Sequence, residues 1–415
     1  MGREKCFTSA VCSLLKVTFI ACVIAVGWQP SNAGAGGVRD VVKDLYGGDG
    51  ITLEDVVVGF SHSAHFTASA SGGLEDLNTS LISNVGAFAF NSIVTGFTFD
   101  IERGVPVRTT ESLGPLLGER APTLGAGKLN LALTYTRIDF KRFEGTSLDD
   151  LQLTFLHDDV NRDGVRGPLD TPLDFELDQV RVDLDLTLEQ DVLAFFATYG
   201  VTRTWDVGIV VPIIHSRARA DANATIIGNA EFNPDLHQFD PVNQDAPSSK
   251  VDREKTGIGD VILRTKYNFL RNRPGWPDLA VLGQVKFATG DEEDLLGTGE
   301  TNFLGLLVAS RDFDKFNPHV NLGYELTTDS ERNNLRYVAG FDVQAHPRLT
   351  VAVDVLGRWE PNGDNIGDHL VDLALGAKWN PFGSFVLGTS FLVPLNRDEG
   401  LRPNFAWTIG IEQTF

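Results

Sequence analysis

The sequence predicts an all-β fold, a transmembrane antiparallel β-barrel of about fourteen strands with an N-terminal plug or arm, twelve being the alternative count. Three observations predict it. From Leu129 to the end of the chain, segments of about ten residues alternate apolar and polar side chains between turn-rich stretches, the period of a strand whose faces meet different media. Beyond the first 33 residues no uninterrupted apolar run approaches the ~20 residues that a membrane helix needs. A basic, apolar leader opens the chain. Hydrocarbon leaves every backbone polar group to be satisfied within the sheet, so a chain of this kind crosses a membrane as a closed barrel.

The leader carries Arg3, Lys5 and Lys16, an apolar run from Val17 to Val26, and the small-residue stretch Ser31-Asn32-Ala33, which together read as a signal peptide over 1–33. Lipoprotein processing at Cys22 is the rival, but Phe19-Ile20-Ala21 before it fits a lipobox poorly. Cys6, Cys12, Cys22 and the single methionine, Met1, all lie in this leader, so the mature chain has neither thiol nor disulfide. The mature chain has 32 basic against 55 acidic residues, a net charge of −23, which argues against a nucleic-acid partner.

The last strand sets Phe405, Trp407, Ile409 and Ile411 against Asn404, Ala406, Thr408 and Gly410, and the chain stops at Phe415. The same alternation sets Val180, Val182, Leu184, Leu186 and Leu188 against Arg181, Asp183, Asp185 and Glu189. It sets Leu263, Tyr267 and Phe269 against Arg264, Lys266 and Asn268, and Leu335, Tyr337, Phe341 and Val343 against Arg336 and Asp342. Val371, Leu373, Leu375 and Trp379 likewise oppose Asp372 and Lys378. So many long strands would leave a soluble sheet unusually large.

With Phe415 placed in the periplasm, hairpin connections alternate sides. The outer loops are then about 395–401, 360–368, 327–334, 290–300 and 219–258, and the inner turns about 380–383, 346–348, 314–315, 270–277 and 202–204. The count closes at fourteen if Asp149 to His157 pairs with Leu129 to Phe140 across Glu144-Gly145. The barrel domain therefore spans 129–415. Residues 34–128 differ in texture, with short helices expected near Val38 to Leu45 and Leu74 to Ile82, and form either a plug or hatch in the lumen or a periplasmic arm.

The terminal aromatic Phe415 resembles the signal read by the outer-membrane barrel assembly machinery. Ser112-Leu113-Gly114-Pro115-Leu116-Leu117-Gly118-Glu119-Arg120-Ala121, Ala197-Thr198-Tyr199-Gly200-Val201-Thr202 and Asp206-Val207-Gly208-Ile209-Val210-Val211-Pro212 carry a wider resemblance. With Gly257-Ile258-Gly259-Asp260-Val261, Ala288-Thr289-Gly290-Asp291 and Asn321-Leu322-Gly323-Tyr324 downstream, the chain resembles the outer-membrane barrel family named after the meta-pathway of phenol degradation. That family is related to channels of the long-chain fatty-acid transporter type. The resemblance runs from about Leu53 to the C-terminus, departs where Ala288 stands in place of Pro, and includes an acid-rich insert around Asp158 to Asp178. It implies transport and assigns no catalytic residue.

Asp159, Asn161, Asp163, a turn-forming Gly164 and Asp170 at the twelfth position have the spacing of a calcium loop without flanking helices, and calcium is the one cofactor the residues suggest. A solvated acidic loop is the alternative. Asp291-Glu292-Glu293-Asp294 either binds the divalent cations that bridge lipopolysaccharide, repels anionic solutes, or is a solvated loop. His62-Ser63-Ala64-His65 is a weak metal signal, and His157, His215 and His319 are expected at the lumen or an interface. Neither a Gly-x-Ser-x-Gly elbow nor a His-Glu-x-x-His helix is present, so the chain is not read as an enzyme.

The alternation places Arg181, Asp183, Asp185, Arg264, Lys266, Gln284, Lys286, Asn321, Glu325, Arg336, Asp342, Asp354, Arg358, Asp372 and Lys378 on the lumen wall. Tyr135, Tyr267, Tyr324, Trp359, Trp379 and Trp407 are candidates for interfacial girdles. The expected function is a bacterial outer-membrane channel for passive uptake of small hydrophobic or aromatic compounds. A general diffusion porin is the alternative, and a structural or enzymatic barrel the second. The expected partners are outer-membrane lipid and lipopolysaccharide, the assembly machinery and a small-molecule solute.

Overall fold

The computed structural model describes residues 37–45, 51, 65–66, 97–100, 105–108, 112–159, 174–228, 237, 239, 248–328, 332–361 and 369–415. The leader, the segment Leu74 to Ile82, and Asn161, Asp163 and Asp170 of the calcium loop lie outside the described residues. The chain divides into two units, 1–36 and 37–415, of which the second holds all of them. The helix expected near Val38 to Leu45 is two short 3₁₀ turns, Val38–Val41 and Lys43–Leu45.

β1 (Phe97–Asp100) and β2 (Val105–Arg108) form a separate hairpin. β3 (Leu129–Phe143), β6 (Gln179–Gly200), β7 (Trp205–Ile227), β9 (Ile262–Leu270), β10 (Asp278–Lys286), β11 (Asn302–Ser310), β12 (Phe316–Leu326), β13 (Asn334–His346), β14 (Leu349–Trp359), β15 (His369–Phe382), β16 (Phe385–Pro394) and β17 (Leu401–Thr414) pair antiparallel in succession. β3 pairs with both β17 and β6, which closes the sheet into a ring of twelve strands. Leu129 and Phe415 exchange both backbone hydrogen bonds at the seam, at 2.8 and 3.1 Å.

The count is therefore twelve, the alternative, and not fourteen. β5 (Leu151–Leu156) was expected beside β3, but both edges of β3 are already taken, and β5 pairs instead with Gln179 to Leu184 of β6. Past the Glu144-Gly145 turn only the two residues of β4 (Thr146–Ser147) pair back onto β3. With β3 and β6 adjacent in the ring, the long 144–178 connection leaves from the end opposite the chain terminus, where long loops belong.

Polarity along the ring is inside out. Leu263, Tyr267, Val281, Phe303, Leu307, Val320, Leu322, Val351, Leu375, Phe391, Ile409 and Ile411 are exposed on its outer face. Inward neighbours such as Lys266, Asn268, Asn321, Asp342, Asp354, Lys378 and Glu412 are buried. A soluble barrel needs the reverse; this one fits a solvent of hydrocarbon. Exposed Tyr267 and Trp379 lie toward the end carrying Phe415, with Tyr199 and Trp205 beside Tyr267. Tyr324 and Trp359 lie toward the other end, as do Tyr135 and Trp407, whose rings touch at a centroid distance of 5.3 Å.

β6 and β7 run on past the ring. Their far halves pair with each other over residues 179–188 and 218–227, and take on β5 and β8 (Ser248–Ile258) as new outer strands. The parity of the strands does not change there, but the chemistry does. Inward Val180, Val182, Leu184, Leu186, Ala220 and Ala222 join Phe66, Phe155, Val38 and Leu45 in the largest apolar core. Outward Arg217, Arg219, Asp221 and Asp252 are ion-paired at the surface. Arg181, Asp183 and Asp185 belong to this exposed face and do not line the lumen, contrary to expectation. The switch on the outer face falls at Arg137, which binds Asp139, Glu189 and Asp191 at 2.8–2.9 Å beside the last apolar positions.

Leu307→Arg on the outer face of the ring is expected to lower stability by about 2–4 kcal/mol in reversible unfolding from lipid vesicles. Asp185→Arg, on the projecting hairpin, is expected to change it by less than about 0.5 kcal/mol. Equal costs at the two positions contradict the assignment of faces.

Candidate functional site: the lumen, its strap and its inward loop

Residues 112–124 run along the inner wall of the ring as a strap without secondary structure, and side chains of six strands hold it. Leu113 N–H donates to Thr350 Oγ1 at 2.8 Å. Leu117 and Gly118 N–H both donate to Asp354 Oδ2, at 2.8 and 3.0 Å, while His319 Nε2 meets Asp354 Oδ1 at 2.8 Å. Glu119 and Asn321 exchange a reciprocal pair, backbone N–H to Oδ1 at 2.7 Å and Nδ2 to carbonyl at 2.8 Å. Ala121 N–H donates to Ser310 Oγ, and Leu124 N–H to Asp206 Oδ2. A strap inside a barrel has no ladder of its own, so inward side chains supply the acceptors its buried amides need.

Glu119 anchors the strap by charge as well, bound by Arg264 and by Lys266 at 3.3 Å. Ser112 binds Asp342. At Gly118 the backbone lies close against the wall: a Cβ there would lie 2.3 Å from His319 Nε2. The residues of the strap are those of the Ser112 to Ala121 motif. That motif has no helical or strand period because its conformation is set by partners on distant strands.

A second element enters from the opposite end. In the connection between β10 and β11, Leu295 and Leu296 are buried. The Leu295 carbonyl accepts hydrogen bonds from Gln190 Nε2 and Ser216 Oγ, each at 3.0 Å. Asp260 holds the base of the loop, accepting from Gly290 N–H and Thr298 N–H at 3.0 Å and lying 3.3 Å from Lys286 Nζ. Thr289 Oγ1 donates to the Gly259 carbonyl at 2.8 Å and accepts from Val261 N–H at 2.9 Å. The Gly257 to Val261 and Ala288 to Asp291 motifs are thus two halves of one clasp. A Cβ at Gly290 meets the Leu296 carbonyl oxygen at 2.5 Å, so the clasp closes only around glycine.

The acidic run in this loop is exposed at Asp291, Glu292 and Glu293, and it is tied to its surroundings by ion pairs and backbone contacts. Asp294 pairs with Lys255 of β8 at 3.3 Å and accepts from Val38 N–H, Glu292 pairs with Arg39 at 3.5 Å, and the Glu293 carbonyl accepts from Arg39 N–H at 2.9 Å.

Between strap and loop lies a cavity of about 230 Å³. Leu117 and Glu119 of the strap and Leu295 and Leu296 of the loop contribute to it, with Ile214, Ile262, Leu282, Leu304 and Leu306 from the wall. Facing these are charges in pairs: Arg336–Glu325 at 2.5 Å, Arg358–Glu360 at 2.8 Å and Arg402–Asp372 at 2.6 Å. The lining is amphipathic, and its charges are largely neutralised by their neighbours.

Of the residues expected on the lumen wall, Arg264, Gln284, Lys286, Asn321, Glu325, Arg336, Arg358 and Asp372 line this cavity. Lys266, Asp342, Asp354 and Lys378 are buried, with Lys266, Asp342 and Asp354 at the strap. Asp260, Gln190, Ser310 and Arg402 were missed. Gln190, Ser310 and Arg402 are inward positions on their strands that parity alone could have found, whereas Asp260 lies in the β8–β9 connection, where parity gives no signal. His157, expected at the lumen or an interface, lies instead in the projecting hairpin, beside His65 and His237. Asp159 is the one calcium-loop residue described.

A family model described as "Putative MetA-pathway of phenol degradation" matches residues 170–391. No curated protein matches the chain. Among solved structures, an outer-membrane channel from Pseudomonas putida F1 is similar at 11% identity and a TM-score of 0.45, over 73% of this chain and 100% of that one. The toluene transporter TbuX of Ralstonia pickettii is similar at 12% identity and a TM-score of 0.38, over 80% and 99%. A Pseudomonas aeruginosa FadL homologue is similar at 10% identity and a TM-score of 0.33, over 69% and 90%.

Asp354→Ala strips the part-buried Leu117 amide and the buried Gly118 amide of their acceptor, at about 1–3 kcal/mol for the buried group left unsatisfied. Amide hydrogen exchange at Leu117 and Gly118 is expected to accelerate at least about tenfold, while exchange in β15 stays unchanged. Unaltered exchange at the two amides contradicts this anchoring.

Proposed function

The chain belongs to the family of the MetA pathway of phenol degradation, and on that premise we propose that it is an outer-membrane channel for passive uptake of small hydrophobic or aromatic compounds. The amphipathic cavity between strap and inward loop carries this reading. An apolar cavity of ~150 Å³ already takes up benzene, so a one-ring solute fits a space of about 230 Å³. Ile214, Ile262, Leu282 and Leu296 offer it dispersion contacts, and the paired charges opposite can meet a single hydroxyl. A multiply charged solute finds those charges already partnered and gives up its hydration for little return.

The exposed apolar belt supports insertion in the outer membrane after removal of the leader, with Phe415 as assembly signal and the projecting hairpin outside. The strap acts as part of an N-terminal plug, narrowing the end that carries Phe415. Leu295 and Leu296 narrow the other end. A solute enters past the loop, rests in the cavity and leaves past the strap, driven by its gradient alone. Arg264, Lys286, Glu325, Arg336, Arg358 and Asp372 line the path.

Proteoliposomes test this with phenol as the probe. Influx is expected to exceed that of empty liposomes and of liposomes loaded with Leu296→Asp, whose carboxylate is placed in the apolar part of the cavity. Influx equal to that of empty liposomes contradicts the proposal.

A further inference from the structure

In the projecting hairpin, three histidines from three separate parts of the chain meet: His65, His157 just after β5, and His237 in the β7–β8 connection. One ring nitrogen from each lies within 4.8 Å of the other two. His157 Nε2 is 3.0 Å from His65 Nδ1 and 3.1 Å from His237 Nε2. His157 and His237 are buried, and Phe66 packs edge-on against both rings at 5.0 and 5.2 Å.

The partners of the remaining nitrogens fix the tautomers of two rings. His157 Nδ1 lies 2.6 Å from the Asp158 carbonyl oxygen, which can only accept, so that nitrogen carries hydrogen. His237 Nδ1 lies 2.8 Å from Asp178 Oδ2, a carboxylate acceptor, so it carries hydrogen too. Each Nε2 then presents a lone pair, and the two face each other at 3.1 Å in a buried site. With His65 Nδ1 these two nitrogens converge on one small volume, where a single cation can bind all three rings.

We propose that His65, His157 and His237 form a three-histidine zinc site that staples the N-terminal segment to the projecting hairpin. Bonds of about 2.0–2.1 Å in tetrahedral geometry put neighbouring ligand nitrogens about 3.3 Å apart, so the two close pairs here need to open by only a few tenths of an ångström. Asp178 and the Asp158 carbonyl occupy the supporting positions that orient metal-bound imidazoles and set their tautomers. The backbone is already gathered for it, since Asp158 N–H donates to the His65 carbonyl at 2.6 Å. None of the three histidines lines the cavity in the lumen.

The full chain in detergent, stripped with a chelator and dialysed, is to be loaded with Zn²⁺ and its metal counted. One zinc per chain is expected, and Co²⁺ in its place is expected to give the strong visible bands of a tetrahedral site. The His157→Gln/His237→Gln double variant is expected to lose both signals, His215→Gln on the barrel's outer face to keep them, and Asp178→Asn to weaken zinc about 10–100-fold. No zinc on the native chain, or as much zinc on the double variant as on the native chain, overturns the proposal. If the double variant does not fold, the Co²⁺ spectrum of the native chain decides, and weak octahedral bands there overturn it.

Discussion

A sheet in hydrocarbon has no water for its edge groups, and closure of the ring through β3 is the constraint from which the remaining architecture follows. β3 accepts β17 along one edge and β6 along the other. Once both edges are occupied, β5 must pair elsewhere, and the long far halves of β6 and β7 become the place where it can. The projecting hairpin is thus the consequence of a ring that closes at twelve.

Closure also decides what the interior can be. With apolar side chains committed to the outer face, the inward positions are polar, and a narrow ring brings those groups near one another. They are satisfied in two ways: by pairing across neighbouring strands, as Arg336 with Glu325, and by taking the backbone of the strap, as Asp354 does with Leu117 and Gly118. The strap and the polar wall are complementary for this reason. The same wall without a strap leaves Asp206, Ser310, Asn321 and Asp354 short of the partners they have here.

Much of this is legible in the sequence. Alternation in β9, β13, β15 and β17 identifies both faces, and the turn-rich stretches after Phe415 is taken as origin mark the two ends of the barrel. It fails on β6, since an apolar/charged alternation is the same string whether the apolar face meets lipid or a core. Only the location of residues 179–188 beyond the ring, against Phe66 and Phe155, decides it. The strand count fails similarly, because periodicity identifies strands and not their neighbours. The strap, the clasp at Asp260 and the histidine corner join residues far apart in sequence, and no local spacing encodes them.

The central claim is that the lumen is a narrow amphipathic passage, constricted by the strap on one side and by Leu295 and Leu296 on the other. Single-channel recording in planar bilayers tests it most directly. The account predicts little steady ionic current from the native chain at any salt concentration. A large, steady conductance that rises in proportion to salt contradicts it and identifies an open, water-filled porin.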